Sequence, residues 1–162
     1  MAIAVDREGI KLKAYLCPAG VWTIGIGTTV YPDGTRVKEG DTCTEAQAYE
    51  WLQHDMDGAA KAVDAYTTDA INQNQFDALC DFVYNKGVGN YRDSTLRKLV
   101  NAGPNDARIR AAFGKWIFGG DGSHNGIDDD GDGQVDEPGE KQRLAGLVRR
   151  AQMQADLYFA VD

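Results

Sequence analysis

Residues Glu8 to Thr29 read EGIKLKAYLCPAGVWTIGIGTT, and the reading of this stretch decides the fold. Up to its start, residues 2–11 carry a short amphipathic helical pattern with Ile3, Ile10 and Leu12 turned inward. From Tyr15 to Val37 the pattern changes. Gly20, Gly25, Gly27, Pro32 and the Asp33-Gly34 pair punctuate β-branched and aromatic residues, which predicts a small antiparallel sheet of two or three strands. Glu8 therefore stands where a helix meets a Gly-rich hairpin, with Cys17 and Thr23 nine and fifteen residues further on. That junction is expected to wall a cleft.

Helices dominate downstream. Thr44-Glu45-Ala46-Gln47 is a capping box and opens a helix to about Val63. Asn72 to Tyr84 carries Phe76, Leu79, Cys80 and Val83 at helical spacing, interrupted by Gly87 and Gly89. Ser94 or Thr95 caps a helix through Val100, stopped by Gly103-Pro104, and Asp106 caps another through Phe118. The last helix, about Leu144 to Phe159, carries Leu147, Val148, Leu157 and Tyr158. The expectation is one α+β domain over residues 1–162, a small antiparallel sheet packed beside a helical body with the cleft between them.

A chain of 162 residues is long enough for one domain with a real core. No apolar run is long enough to span a membrane, and MAIAVDREG lacks the basic and apolar regions of a secretory signal. Synthesis in the cytoplasm, no stable membrane insertion and a monomeric state are expected. The net charge of −8 is concentrated: eight of the 25 acids lie within residues 121–140, which hold no Lys or Arg, and the remainder is neutral. With no basic stripe to neutralise phosphates, a nucleic-acid partner is not expected. Cys17, Cys43 and Cys80 are too widely spaced for a CxxC or zinc pattern, and their odd number argues against a disulfide framework. Cys80, within ALCDFVY, reads as a small buried hydrophobe. Cys43 can be either buried or exposed.

Cleaving a glycosidic bond requires an acid to protonate the leaving oxygen, and a group that holds water or stabilises the cation-like transition state. In an apolar cleft the pKa of Glu8 would rise, which would let it serve as that acid. Alone, a Glu on a short helix is ordinarily a solvated surface residue. Its neighbours change the reading. Glu8, Cys17 and Thr23 stand in the order Glu-x8-Cys-x5-Thr, which resembles the Glu-x8-Asp/Cys-x5-Thr triad of the phage lysozyme family, glycoside hydrolase family 24. NQNQFDALCDFVYNKGVGNYRDSTLRKLVNAG (Asn72 to Gly103) is similar to the family's central helices. FGKWIFGG and LAGLVRR are similar to its C-terminal part, so the likeness covers most of the chain outside residues 121–143.

The resemblance implies a lysozyme-like fold and a muramidase, an endolysin that cleaves the β-1,4 bond between N-acetylmuramic acid and N-acetylglucosamine in bacterial peptidoglycan and lyses the host. It makes Glu8 the general acid and gives Thr23 a part in placing the attacking water. Cys17 takes the position of the second carboxylate. Asn85 falls where the family has a sugar-contacting residue, and Gly25, Ile26 and Gly27 form the opposite lip. It also implies release to the periplasm through a holin-type membrane lesion.

Two departures stand out. A neutral thiol is a poor base, so Cys17 either works as a thiolate of lowered pKa or fills space while Thr23 and water act. Thr28-Thr29 follows Gly-Ile-Gly where the family often has His-Thr, so a supporting role for that His is absent or passes to a hydroxyl. On the last helix, at least one of Arg149 and Arg150 belongs to a solvated face, and the other can pair with Glu8.

Residues Asn125 to Glu140 read NGIDDDGDGQVDEPGE. Asp128, Asp130, Asp132 and Gly133 have DxDxDG spacing, which suits the hard oxygen ligands of Ca2+. Gln134 would offer a backbone carbonyl, and Asp136 and Glu137 would close the shell in preference to Glu140. On this reading 121–143 is an inserted calcium-binding loop and Ca2+ is structural. The bland alternative is a self-repelling acidic loop. Two rivals to the hydrolase remain at this level: a lytic transglycosylase working with Glu8 alone, and a non-catalytic, calcium-dependent sugar-binding module.

Overall fold

The computed structural model describes residues 9–17, 20–68, 70–118 and 143–161. Two strands, β1 (Lys11–Leu16) and β2 (Trp22–Gly25), pair antiparallel with Tyr15 opposite Thr23 and Leu16 opposite Trp22. The register shifts between Lys11 and Tyr15, a bulge in the ladder. Isolated bridges Lys13–Thr42 and Val30–Arg36 extend the pairing into the following loop. The expected helix at 2–11 is corrected at its end. Residues 2–8 lie outside the described residues, residues 9 and 10 are not helical, and Lys11 already belongs to β1. Leu12, expected inside, is 40% exposed, because the strand turns it away from the core.

Six helices follow among the described residues: α1 (Glu45–Tyr66), α2 (Gln73–Lys86), α3 (Val88–Asp93), α4 (Thr95–Ala102), α5 (Arg108–Gly114) and α6 (Ala145–Tyr158). The capping box at Thr44 is present: Gln47 N donates to Thr44 Oγ1 and Thr44 N donates to Gln47 Oε1. A second box, unread in the sequence, opens α2 through Asn72 and Gln75. Gln75 is buried there and also donates to Pro104 O, so its polar atoms cost little.

Helix α2 is central, packed against α1, α3 and α6, and its run Ala78–Val83 is buried on every side. Phe82 makes edge-to-face contacts with Tyr91, Phe113 and Trp116, and Phe113 repeats the geometry with Tyr158. Such pairs add to simple area burial. Cys80 is buried, as expected, and burial pushes its thiol up to about 12, so it is no nucleophile. The hairpin end packs on α1 through Gly25. A Cβ there would lie 3.1 Å from Ala48 Cβ, and φ is +62 to +88 at Gly9, Gly25 and Gly27, so the close approach at position 25 needs glycine.

Thr28 closes the five-residue turn, exchanging backbone hydrogen bonds with Ile24. Its side chain is 1% exposed and its Oγ1 has no hydrogen-bond partner. The hydroxyl therefore takes over no supporting contact. A buried hydroxyl without a partner keeps its desolvation cost. Thr28→Val removes that cost at similar shape and is expected to stabilise the fold by about 1 kcal/mol, read as a rise of roughly 2–4 °C in melting temperature. A lower melting temperature would show that the hydroxyl is bonded in solution.

Candidate active-site cleft

Between the hairpin and the helices lies an open cavity of about 520 Å³. The β side supplies Tyr15, Cys17, Thr23 and Gly27, and the α2 side supplies Tyr84 and Asn85. Its floor comes from α1, through His54, Asp55, Gly58 and Ala59. The sheet and the helical body thus meet at the cleft, in the expected arrangement.

Thr23 is buried, and its hydroxyl donates to Val21 O at 3.0 Å. The proton is thereby committed, and the oxygen lone pairs remain free to accept from a water or a sugar hydroxyl. Cys17 is half-buried at a tight turn in which its N–H donates to Val21 O and its carbonyl accepts from Gly20 N. Asn85 stands on the last turn of α2, and its Oδ1 has no hydrogen-bond partner. Gly25 and Ile26 do not line the cavity. Ile26 is fully buried in the core, and what it offers the cleft wall is its carbonyl, which accepts from the Tyr84 hydroxyl. That bond ties α2 to the turn after β2. Glu8 lies outside the described residues.

Arg149 is exposed, as expected of one of the two arginines, and Arg150 is 4% exposed. Arg150 forms a bidentate pair with Asp81, Nε to Oδ2 and Nη2 to Oδ1 at 3.0 Å each, and Gln154 Nε2 donates to Oδ2 at 2.7 Å. The guanidinium also lies 5.8 Å from the Tyr84 ring centroid. This buried network sits directly behind the cleft wall that Tyr84 forms.

Sequence reasoning missed Tyr84, Asp81, His54 and Asp55. A signal existed for the last. Asp55 falls three residues after Leu52 and four before Ala59, both buried, so the spacing places it at the edge of the inward face of α1.

The fold and the cleft define a lysozyme-like α+β glycosidase architecture, and comparison with known proteins agrees. The phage lysozyme family model matches residues 5–130, and the chain belongs to that family. The endolysin of Acyrthosiphon pisum secondary endosymbiont phage 1 is 31% identical over 93% of this chain and 88% of its own length. Among solved structures, the endolysin from Escherichia coli O157:H7 phage FAHEc1 matches with a TM-score of 0.77 and 33% identity, over 98% of this chain and 92% of that one. The muramidase domain of SpmX from Asticaccaulis excentricus also reaches 0.77, at 25% identity over 99% and 94%. The chain is accordingly a glycoside hydrolase, a muramidase acting on bacterial peptidoglycan. Among the described residues, no helix is long and apolar enough to cross a membrane.

The calcium expectation is corrected. Asp128, Asp130, Asp132, Gln134, Asp136 and Glu137 all lie outside the described residues. Among the described residues, no group of three or more His, Cys, Asp or Glu side chains converges as a metal site requires. The family match itself runs through residue 130, into the segment read as an insert. Acidic spacing alone does not make a coordination shell, because ligands must converge in space as well as alternate in sequence. Neither a Ca2+ cofactor nor an inserted calcium-binding loop is assigned, and the calcium-dependent binding module loses its basis.

Proposed function

We propose that Glu8 is the general acid of the muramidase reaction, that Thr23 helps hold the attacking water, and that Asn85 contacts the sugar. The Glu8 carboxyl proton passes to the glycosidic oxygen as the bond to the anomeric carbon breaks; water adds to that carbon and gives up one proton to solvent, from which the Glu8 carboxylate is reprotonated. The observation that carries this reading is the shared cleft of Cys17, Thr23 and Asn85. Thr23 has acceptor lone pairs free there, and Asn85 lines the same cavity with a side-chain amide able to bond a sugar. Gly27 belongs to the same lining, whereas Gly25 and Ile26 act through the backbone that shapes it. Residues 1–162 are taken as one lysozyme-like unit, and release to the periplasm is taken to follow a holin-type membrane lesion.

In this reading the Cys17 thiol fills space at the turn, while Thr23 and water act. Cys17→Ser is then expected to keep hydrolysis within about tenfold of the parent, whereas loss of a working base would lower it by roughly 10²–10⁴. Mass spectrometry of the fragments released from purified peptidoglycan tests the chemistry. Reducing N-acetylmuramic acid ends agree with a water placed beside Thr23. Ends in the 1,6-anhydro form would mean that no water is used, and would make Glu8 the whole proton relay of a lytic transglycosylase.

A further inference from the structure

The cleft contains a carboxylate that the chemistry above leaves unused. We propose that Asp55 is a substrate-recognition residue, accepting a hydrogen bond from a hydroxyl or N-acetyl N–H of the glycan. The inference rests on the reading that the glycan occupies this cleft. Asp55 stands on α1 and lines the same cavity as Cys17, Thr23 and Asn85. It is the sole carboxylate among the described lining residues.

Its surroundings argue against a structural role. The side chain is 32% exposed, so it is partly withdrawn from water yet open to the cavity it lines. Its side-chain partner is the exposed His54, whose Nδ1 lies 3.4 Å from Oδ1, at the long limit of a hydrogen bond. A carboxylate offers about four acceptor sites. Asp81 shows how this fold satisfies a structural carboxylate, with two bonds from Arg150 and one from Gln154. Asp55 has no such set, and burial holds its carboxyl above the usual range, with His54 partly offsetting the effect. A half-desolvated acceptor in a cleft is costly when the cleft is empty. It becomes favourable when a ligand rich in O–H and N–H donors fills the cleft, and a glycan strand is such a ligand.

The test compares Asp55→Ala and Asp55→Asn with the parent on purified peptidoglycan, reading reducing-end release against substrate concentration. Asp55→Ala is expected to raise KM about tenfold with kcat within about twofold, since a hydrogen bond to a charged group carries discrimination of that order. Asp55→Asn, which keeps one acceptor oxygen, falls between. The melting temperature of both variants stays equal or rises. An unchanged KM in both variants overturns the proposal, and so does a fall in kcat at unchanged KM, which would move Asp55 into the chemistry. Glu8→Gln, run in parallel, separates the two readings. If it is inactive while Asp55→Ala keeps its KM, this inference alone fails. If it is fully active, the cleft chemistry beneath it fails.

Discussion

In Glu8→Gln, peptidoglycan hydrolysis falls about 10²–10⁴-fold while the melting temperature stays close to that of the parent. Glutamine matches glutamate in shape and can hydrogen-bond, but it has no carboxyl proton to give. The glycosidic oxygen must then leave as an alkoxide, a poor leaving group, and the barrier rises by the whole contribution of general acid catalysis. The loss should appear in kcat, because the interaction matters in the transition state and not in the ground-state complex. Release of reducing ends from purified peptidoglycan, with circular dichroism as a folding control, measures the effect. Activity within tenfold of the parent would remove Glu8 from the acid role.

Asp81→Ala is expected to be the most damaging single change to stability, at about 3–5 kcal/mol. Both ends of the Asp81–Arg150 pair are buried, with side chains 3% and 5% exposed. Deleting the carboxylate leaves a guanidinium out of water without its bidentate partner and strands the Gln154 amide. Within a chain of this size the loss corresponds to a fall of roughly 10 °C or more in melting temperature. The damage comes from a buried charge that has lost its bidentate carboxylate rather than from the lost attraction. Asp81→Leu combined with Arg150→Met should therefore cost less than Asp81→Ala alone. Urea denaturation of the three proteins decides the matter, and a loss below 1 kcal/mol in Asp81→Ala would mean that water reaches the pair.

Features encoded by neighbouring residues were legible. The Thr44–Gln47 capping box is a local exchange of hydrogen bonds and needs no tertiary contact to form. The Gly-rich hairpin and the Glu-x8-Cys-x5-Thr order were equally readable. Gly89 was misjudged as a breaker. It lies within α3, where the buried Tyr91 packs against Phe82, and the positive φ that ends α2 belongs to Gly87 alone. The acidic DxDxDG spacing is a local pattern of the opposite kind: it suggested a site on residues that lie outside the described ones, and among the described residues no metal-binding cluster is found.

By itself, then, the sequence determined the α+β class, the main helices and the family resemblance carried by the Glu-x8-Cys-x5-Thr order, because those are written in caps, periodicity and ordered motifs. Only the tertiary structure decided which of two adjacent arginines is buried. Arg149 and Arg150 are alike in sequence, yet the phase of α6 turns Arg150 toward Asp81, 69 residues away, and leaves Arg149 in water. The same holds for Asp55. Its identity was always visible, but a carboxylate becomes part of a cleft only when the hairpin folds across α1 and partly removes it from solvent.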